Sequence, residues 1–353
     1  MKIAIVGCGN ISARYSEDLK GYPELELVGF YDIDRRRAED FASKHGGRVF
    51  TSLEELLSDR TVELVVNLTI FEAHYSVVKQ GLMSGKHVYS EKPLALTYAE
   101  AQELVSLAEA RLVQVASAPF TFLGEAQQTA MKWVRDGRLG PLRLVYAEVN
   151  HGRIESWHPN PEPFYAVGPN LDVGVYPLTL VTALLGPAKR LQAFAATLYP
   201  HRVDKGGKEF TVTSPDYYVV NLQFPEGQVM RLTTNFYVSS KTTQGEGIEF
   251  HGDMGSLQLD SWAAPDSGLS HAKYGEGYSK IEPVKQGAQA IDWASGLFEF
   301  AHSIAQGRRS RVTGKQAAHI VEILEATQSS VKSGAPIELT STFEVPDAMT
   351  WAE

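Results

Sequence analysis

Cysteine is almost absent: of 353 residues only Cys8 is one. A disulfide within the chain is excluded, and so is a zinc site built on several cysteines. Long apolar runs are also lacking, so no segment reads as a membrane span, and Ile3–Val6 is too short an apolar stretch for a signal peptide. Basic charge is in deficit, with 33 Lys plus Arg against 42 Asp plus Glu and a formal net charge of −9. A nucleic-acid binder usually carries a basic domain or stripe. Here the basic run Arg35-Arg36-Arg37 is short enough for a solvated helix face. The ten histidines contain no H-x-x-x-H or H-E-x-x-H spacing, so no metal is expected. These absences predict a cytoplasmic protein in a reducing compartment, with no nucleic-acid partner and no membrane.

What the chain does have is material for a core. Apolar residues make up 43% and charged residues 21%, and the length suits two domains. The first part alternates short apolar runs with helical patterns. Lys2–Val6, Leu25–Tyr31, Arg48–Phe50, Leu64–Leu68, His87–Tyr89 and Val113–Ala116 read as strands. Several are nearly continuous in apolar residues, as strands buried on both faces are. Ser52 with Glu55 and Thr97 with Glu100 fit capping boxes that open helices. Such alternation implies a parallel sheet with right-handed crossovers.

Beyond Ala118 the texture changes. A helix is predicted over Glu125–Arg135, then a turn at Asp136–Pro141 and a Pro-rich stretch at Trp157–Tyr165. Leu171–Leu185 reads as helical. Arg190–Ala196, Tyr217–Phe224, Gln228–Tyr237 and Gly247–His251 read as strands. Ala264–Lys280 is Gly/Ser-rich and reads as a loop. Helices return at Ala290–Ala305 and Lys315–Ser333, the second opened by Thr313 with Gln316. A largely antiparallel sheet of this kind needs a cover on its apolar face, from its own helices or from another subunit.

Gly7-Cys8-Gly9-Asn10-Ile11-Ser12 follows the first strand and opens a helical run. It is a G-x-G-x-x-G fingerprint with Ser12 in the third position. Gly7 allows the tight turn. Gly9 lets the backbone of Asn10 and Ile11 approach a pyrophosphate, whose charge then rests on the helix N-terminus. The third position needs only a small residue. Asp32 ends the second strand, where a carboxylate accepts hydrogen bonds from the adenosine ribose and repels a 2′-phosphate. NAD is the expected cofactor, with NADP kept open by the arginines that follow. Helix capping is the other reading of Asp32 and Asp34.

Ser90-Glu91-Lys92-Pro93-Leu94-Ala95 is more specific. With Ser84-Gly85-Lys86-His87-Val88 before it and the glycine fingerprint, it resembles the Gfo/Idh/MocA oxidoreductase family. Asp136–Gly140, Asp172-Val173-Gly174-Val175-Tyr176 and His251–Leu257 extend the resemblance to nearly the whole chain. Asp-x-Gly-x-Tyr resembles the branch with sugar oxidoreductases and dihydrodiol dehydrogenase. A run of glycines often precedes the Asp in the family; here Val167-Gly168-Pro169-Asn170 stands there.

The resemblance implies an α/β N-terminal Rossmann domain, a parallel doubly wound sheet, over residues 1–119. It implies an α+β C-terminal domain with a large, mainly antiparallel open-faced sheet over residues 120–353, for substrate binding and oligomerisation. Thr69, His74, Glu91 and Lys92 would lie beside the cofactor. Lys92 and Tyr176, far apart in sequence, would meet across the domain cleft. A phenol with a reference pKa of about 10 is a poor base at neutral pH, and a nearby ammonium favours its ionised form. Tyr176 is then the expected proton-transfer group, Lys92 its electrostatic partner and Asp172 the orienting carboxylate. The division between Lys92 and Tyr176 stays open.

Each has a plainer alternative: Lys92 a solvated loop residue, Asp172 a helix N-cap, Tyr176 a core aromatic. His74 could cap a helix. His151, Trp157 and His158 could line a substrate pocket, since an aromatic beside polar donors suits a sugar ring; turn packing explains Trp157 equally well. The expected function is hydride transfer between NAD(P) and a secondary alcohol or ketone of a sugar, cyclitol or polyol, in a homodimer or homotetramer. Two alternatives remain, a redox-neutral NAD-dependent glycoside hydrolase and a non-catalytic dinucleotide-binding regulator.

Overall fold

A computed structural model describes residues 1–353. The chain begins β1 (Lys2–Val6), α1 (Asn10–Asp18), β2 (Glu26–Tyr31), α2 (Arg35–His45), β3 (Arg48–Val49), α3 (Leu53–Ser58), β4 (Leu64–Asn67), α4 (Phe71–Met83), β5 (His87–Ser90), α5 (Tyr98–Arg111) and β6 (Val115–Ser117). It continues α6 (Glu125–Arg135), β7 (Leu142–Asn150), α7 (Glu162–Val167), α8 (Pro169–Asp172), α9 (Val175–Leu185), β8 (Arg190–Ala196), β9 (His201–Val203) and β10 (Glu209–Thr211). It ends β11 (Tyr217–Gln223), β12 (Val229–Asn235), β13 (Ile248–Gly252), β14 (Gly255–Leu259), β15 (Leu269–Lys273), β16 (Ser279–Ile281), α10 (Ser295–Ala305), α11 (Gly314–Ser333) and β17 (Ile337–Glu338). No helix is long and apolar enough to cross a membrane.

Two compact units divide the chain: Met1–Phe120 with Asp292–Glu322, and Thr121–Ile291 with Ile323–Glu353. In the first, six parallel strands run in the order β3-β2-β1-β4-β5-β6. β4 is buried along its whole length, and Ala4, Val6, Val65 and Val88 share one core with Leu56, Val78, Leu82 and Leu104 from the helices. Covered on both faces, these strands have no need of polar alternation. The order reverses between β1 and β4, which opens a crevice at the carboxyl ends of the strands where ligands of such sheets bind.

Asp292–Glu322 lies in the stretch expected to form the second domain, yet it packs within the first unit. Trp293 sits 6.5 Å from the Tyr15 ring and 6.3 Å from Phe120, and Tyr22 stacks on Phe298 at 4.4 Å. A Cβ on Gly296 would fall 2.4 Å from Phe120, so only glycine lets α10 seat this closely. Ala318 and Val321 of α11 complete the core. These are contacts of high sequence separation, which periodicity does not reveal.

The second unit carries a nine-stranded sheet in the order β16-β15-β14-β13-β7-β12-β11-β8-β17. Only β7 and β12 pair in parallel. Its side chains alternate. Val145, Ala147, Tyr218, Val220, Met230, Leu232, Phe250 and Leu257 are buried on one face. Tyr146, Glu148, Arg231, Glu249 and Gln258 line a groove of about 700 Å³ on the other. Arg231 there donates to Glu148 at 2.6 Å and lies 4.3 Å from the Tyr146 ring. Desolvation raises the Glu148 pKa despite that partner.

Two expectations need correction here. Ala264–Lys280 is not a loop throughout: β15 pairs with β14 from Leu269 opposite Leu259 to Lys273 opposite Gly255, and β16 adds a further strand. A neighbouring strand supplies the hydrogen bonds, and burial of Leu269 and Ala272 the apolar gain, that local composition does not promise. The helix predicted over Leu171–Leu185 is broken at Val173–Gly174 into α8 and α9.

Candidate active site

The glycine turn is built as its residue types require. Gly7 has φ +92°, and a Cβ there would lie 2.7 Å from the Leu68 carbonyl oxygen. Gly9 has φ −91°, and no atom lies within 4 Å of where its Cβ would stand, so the turn faces open space at that point. Helix α1 starts there without a side-chain cap or an acidic residue in its first turn. Asn10 is exposed and Ile11 half-buried at that start, while Ser12 is buried and its hydroxyl donates to the Gly7 carbonyl at 2.6 Å. The third fingerprint position is thus filled by a side chain that ties the turn to its own helix.

Asp32 does not cap the next helix; Asp34 does, accepting the Arg36 N–H. Asp32 instead accepts the Cys8 N–H at 2.7 Å and the Asp34 N–H at 2.8 Å, which fixes its carboxylate beside the glycine turn. Burial, with Asp32 adding to it, pushes the Cys8 thiol up to about 12. An uncapped, acid-free helix start beside a fixed carboxylate fits a dinucleotide: the diphosphate on the helix N-terminus, the ribose hydroxyls on Asp32.

The loops after β4 and β5 are held by a second set of bonds. Asn67 donates to Ser90 Oγ at 3.0 Å, and its side-chain carbonyl accepts from the Thr69 hydroxyl at 2.7 Å. His74 is fully buried, with Nδ1 2.7 Å from the Pro93 carbonyl and Nε2 3.1 Å from that of Thr69. Desolvation lowers its pKa, and in its neutral form such a ring donates to only one of the two carbonyls. His74 therefore lies between the two loops, against the backbone of both. Glu91 accepts the Tyr15 hydroxyl at 2.7 Å and, through its other oxygen, the Lys92 N–H at 3.2 Å. Lys92 is 9% exposed, with Nζ 5.6 Å from the Phe71 ring centroid. It is no solvated loop lysine. Tyr15 and Asn67 were not singled out as site residues in the sequence, and Ser90 entered only as the first residue of the Ser90-Glu91-Lys92-Pro93 motif. A tyrosine on the inner face of α1 and polar residues ending two apolar strands were the available signals.

In the second unit, Asp172 is buried at the end of α8 and Tyr176 half-buried in the first turn of α9. The break between them belongs to Gly174, where a Cβ would lie 2.5 Å from the Asn170 carbonyl oxygen. Pro177 falls in that first turn, where its missing N–H is harmless. Tyr176 stacks on Trp262 at 5.1 Å, and the Trp262 indole donates to the Glu148 carbonyl at 3.3 Å. Ahead of them, His151 meets Trp157 edge-on at 5.8 Å and Trp157 meets His158 at 5.5 Å. The structure brings these three candidates together. No group of three or more His, Cys, Asp or Glu is arranged to hold a metal.

Comparison with known proteins agrees with this layout. Residues 1–118 match the model of an oxidoreductase family with an NAD-binding Rossmann fold, and residues 127–258 match that of the GFO/IDH/MocA C-terminal domain. Trans-1,2-dihydrobenzene-1,2-diol dehydrogenase of Bos taurus is 28% identical over 262 residues, covering 73% of this chain and 74% of that protein. A dTDP-3,4-didehydro-2,6-dideoxy-alpha-D-glucose 3-reductase of Streptomyces antibioticus is 30% identical over 190 residues, 53% of this chain and 57% of that one. Among solved structures, an NAD binding oxidoreductase from Klebsiella pneumoniae superposes with a TM-score of 0.85 at 19% identity, covering 97% of this chain and 99% of that one.

Proposed function

The chain belongs to the Gfo/Idh/MocA oxidoreductase family, and from that premise we propose that it is an NAD-dependent dehydrogenase of a secondary alcohol on a sugar, cyclitol or related polyol. The cofactor cradle carries this reading. An uncapped helix start, an open Gly9 and a fixed Asp32 carboxylate match a diphosphate and a free ribose 2′-hydroxyl. That carboxylate favours NAD over NADP by charge repulsion of a 2′-phosphate. The relatives that act on a cyclic diol and on a deoxysugar support the substrate class.

NAD, when bound, supplies the hydride acceptor. The remaining task is the hydroxyl proton. We assign Tyr176 as the group that takes it, Lys92 as the ammonium that favours phenolate and donates to the substrate oxygen, and Asp172 as the carboxylate that orients the hydroxyl. Glu91 holds the Lys92 backbone and His74 ties the turn that follows, so Lys92 enters the reaction from a fixed loop. His151, Trp157 and His158 are assigned to the substrate.

The exposed Phe194 and the groove beside Arg231 lie on one face of the second unit's sheet, and we place a second copy of the chain there, as homodimer or homotetramer. Sedimentation as a monomer would remove that assignment. A reducing cytoplasm suits Cys8, which has no disulfide partner in its own chain.

The test is a panel of sugars, cyclitols and alditols with NAD and with NADP, followed at the nicotinamide absorbance. NADH accumulation with a ring polyol supports the proposal. Glycoside cleavage without net NADH would replace it with a redox-neutral hydrolase.

A further inference from the structure

The second unit contains a cation with no access to water. Arg202 of β9 has a side chain that is 0% exposed. A guanidinium in that position is tolerated only when paired and fully hydrogen-bonded. Its Nη1 donates to Glu155 Oε1 at 2.8 Å and to the Tyr165 hydroxyl at 2.6 Å. Its Nη2 donates to Asp216, and its Nε to the Tyr199 carbonyl at 2.8 Å. The guanidinium also lies 4.3 Å from the Tyr165 ring centroid. The Tyr165 hydroxyl donates in turn to Glu155 and accepts the Ile154 N–H at 3.2 Å.

The cluster holds one stretch of chain. Glu155 sits in a 3₁₀ turn, Ile154–Ser156, and Tyr165 in α7, so the two anchors flank Trp157 and His158. From Tyr165 a line of rings leads outward. Phe236 lies 5.6 Å from Tyr165, His151 lies 6.1 Å from Phe236, and Trp157 lies 5.8 Å from His151. Phe164 backs both Trp157 and His158. Lys205, from the β9–β10 hairpin that provides Arg202, donates to the Trp157 carbonyl at 3.2 Å. At the end of this supported line Trp157 is 45% exposed.

A buried ion cluster is seldom the most stable way to fill a core, because well-packed apolar groups often do as well. What it provides is a single permitted geometry. The exposed indole, with two imidazoles beside it, offers an apolar surface for ring C–H groups and nitrogens for hydroxyls. We propose that Arg202 is a positioning residue: with Glu155, Tyr165 and Asp216 it fixes the Ile154–Val167 segment so that Trp157, His151 and His158 form a stacking platform selecting ring-shaped over open-chain polyols. The substrate part rests on the dehydrogenase reading above; the clamp does not.

Arg202→Met would leave two buried carboxylates without a counterion and is expected to unfold the protein. Tyr165→Phe keeps every charge paired and carries the test. The full-length protein is assayed with NAD on a cyclitol or pyranose and on the corresponding alditol, and hydrogen exchange is followed by mass spectrometry. Tyr165→Phe should raise KM for the ring substrate about three- to tenfold, the scale of one aromatic contact, with kcat within about twofold. NAD affinity should not change. Exchange should rise in residues 151–167 and stay unchanged in β11 and β12. Trp157→Ala should raise the same KM, and the double variant should show little more than the larger single effect.

Multiplying effects in the double variant, or an equal KM rise for the alditol, would overturn the platform. A uniform rise in exchange would overturn the clamp. If the native protein oxidises no ring substrate with either nicotinamide cofactor, the dehydrogenase reading fails and takes the platform with it, while exchange confined to 151–167 upholds the clamp.

Discussion

The glycine turn of the first unit and the Trp157 segment of the second are both irregular backbone held in one shape, by opposite means. Around Gly7 the restraints are short and neutral or singly charged: a serine back to its own turn, an asparagine across neighbouring strand ends, a carboxylate on two backbone N–H groups. Each partner lies at the end of an adjacent parallel strand or in the same turn. Around Tyr165 the restraints are ionic and buried, and the decisive cation arrives from a hairpin well downstream. A cofactor common to many enzymes can be held by a turn that the sheet itself dictates. The proposed substrate platform is shaped separately, and the side chain assigned to hold it is a buried charge.

The largest expected effect falls on the residues proposed to handle the proton, one in each unit. Lys92→Ala and Tyr176→Phe should each lower kcat about a hundred- to ten-thousand-fold in steady-state assays, with the NAD dissociation constant nearly unchanged. Equal losses in NAD binding would move both residues out of the proton-handling role. The double variant should lose little beyond the worse single, as groups acting in one step do.

The glycine turn can be split by two substitutions. Gly9→Ala meets open space and an ordinary φ, so its melting temperature should stay near that of the native protein while NAD affinity falls about ten- to a hundredfold, the worth of charge-assisted bonds lost. Gly7→Ala meets the Leu68 backbone at positive φ and should destabilise the fold by about 1–3 kcal/mol in urea titrations. A melting-temperature loss for Gly9→Ala matching that of Gly7→Ala would mean that Gly9 serves the fold rather than the ligand. Asp32→Ala should weaken NAD about tenfold and narrow its advantage over NADP.

A pH effect separates the units further. Burial lowers the pKa of His319, in α11, from the ordinary 6.5 to about 4, with Glu322 opposing it. The unfolded chain then binds more protons than the folded one between those values. Stability present above pH 6.5 should therefore fall as pH drops toward 4, and His319→Gln should flatten that slope in thermal melts. The smallest effect concerns Cys8. With its pKa near 12, about one thiol in ten thousand is ionised at pH 8, so iodoacetamide should label it slowly until the protein unfolds.

Much of the first unit was legible because its signals are local. β1 runs over Lys2–Val6 as the apolar pattern predicts, and Thr97 with Glu100 makes a complete capping box. Ser52 caps α3 through the Glu55 N–H, but Glu55 itself reaches back to the Thr51 N–H, one residue earlier than the box pattern implies. In the second unit α6 and β8 also matched their expected bounds. β7, the strand that joins the two halves of the large sheet, was not among the predicted strands, although Leu142, Val145, Ala147 and Val149 mark its buried positions.

Sequence alone determined the parallel sheet, the glycine turn with its aspartate, and the Glu91-Lys92-Pro93 and Asp172–Tyr176 motifs, because each is written in residues that are neighbours or share one period. Tertiary structure decided that Asp292–Glu322 returns to the first unit, that a Gly/Ser-rich stretch becomes two strands, and that Arg202 meets Glu155, Tyr165 and Asp216. Those outcomes depend on partners distant along the chain. The free energy of burying an aromatic, completing a sheet edge or pairing a dehydrated charge exists only once both partners are present.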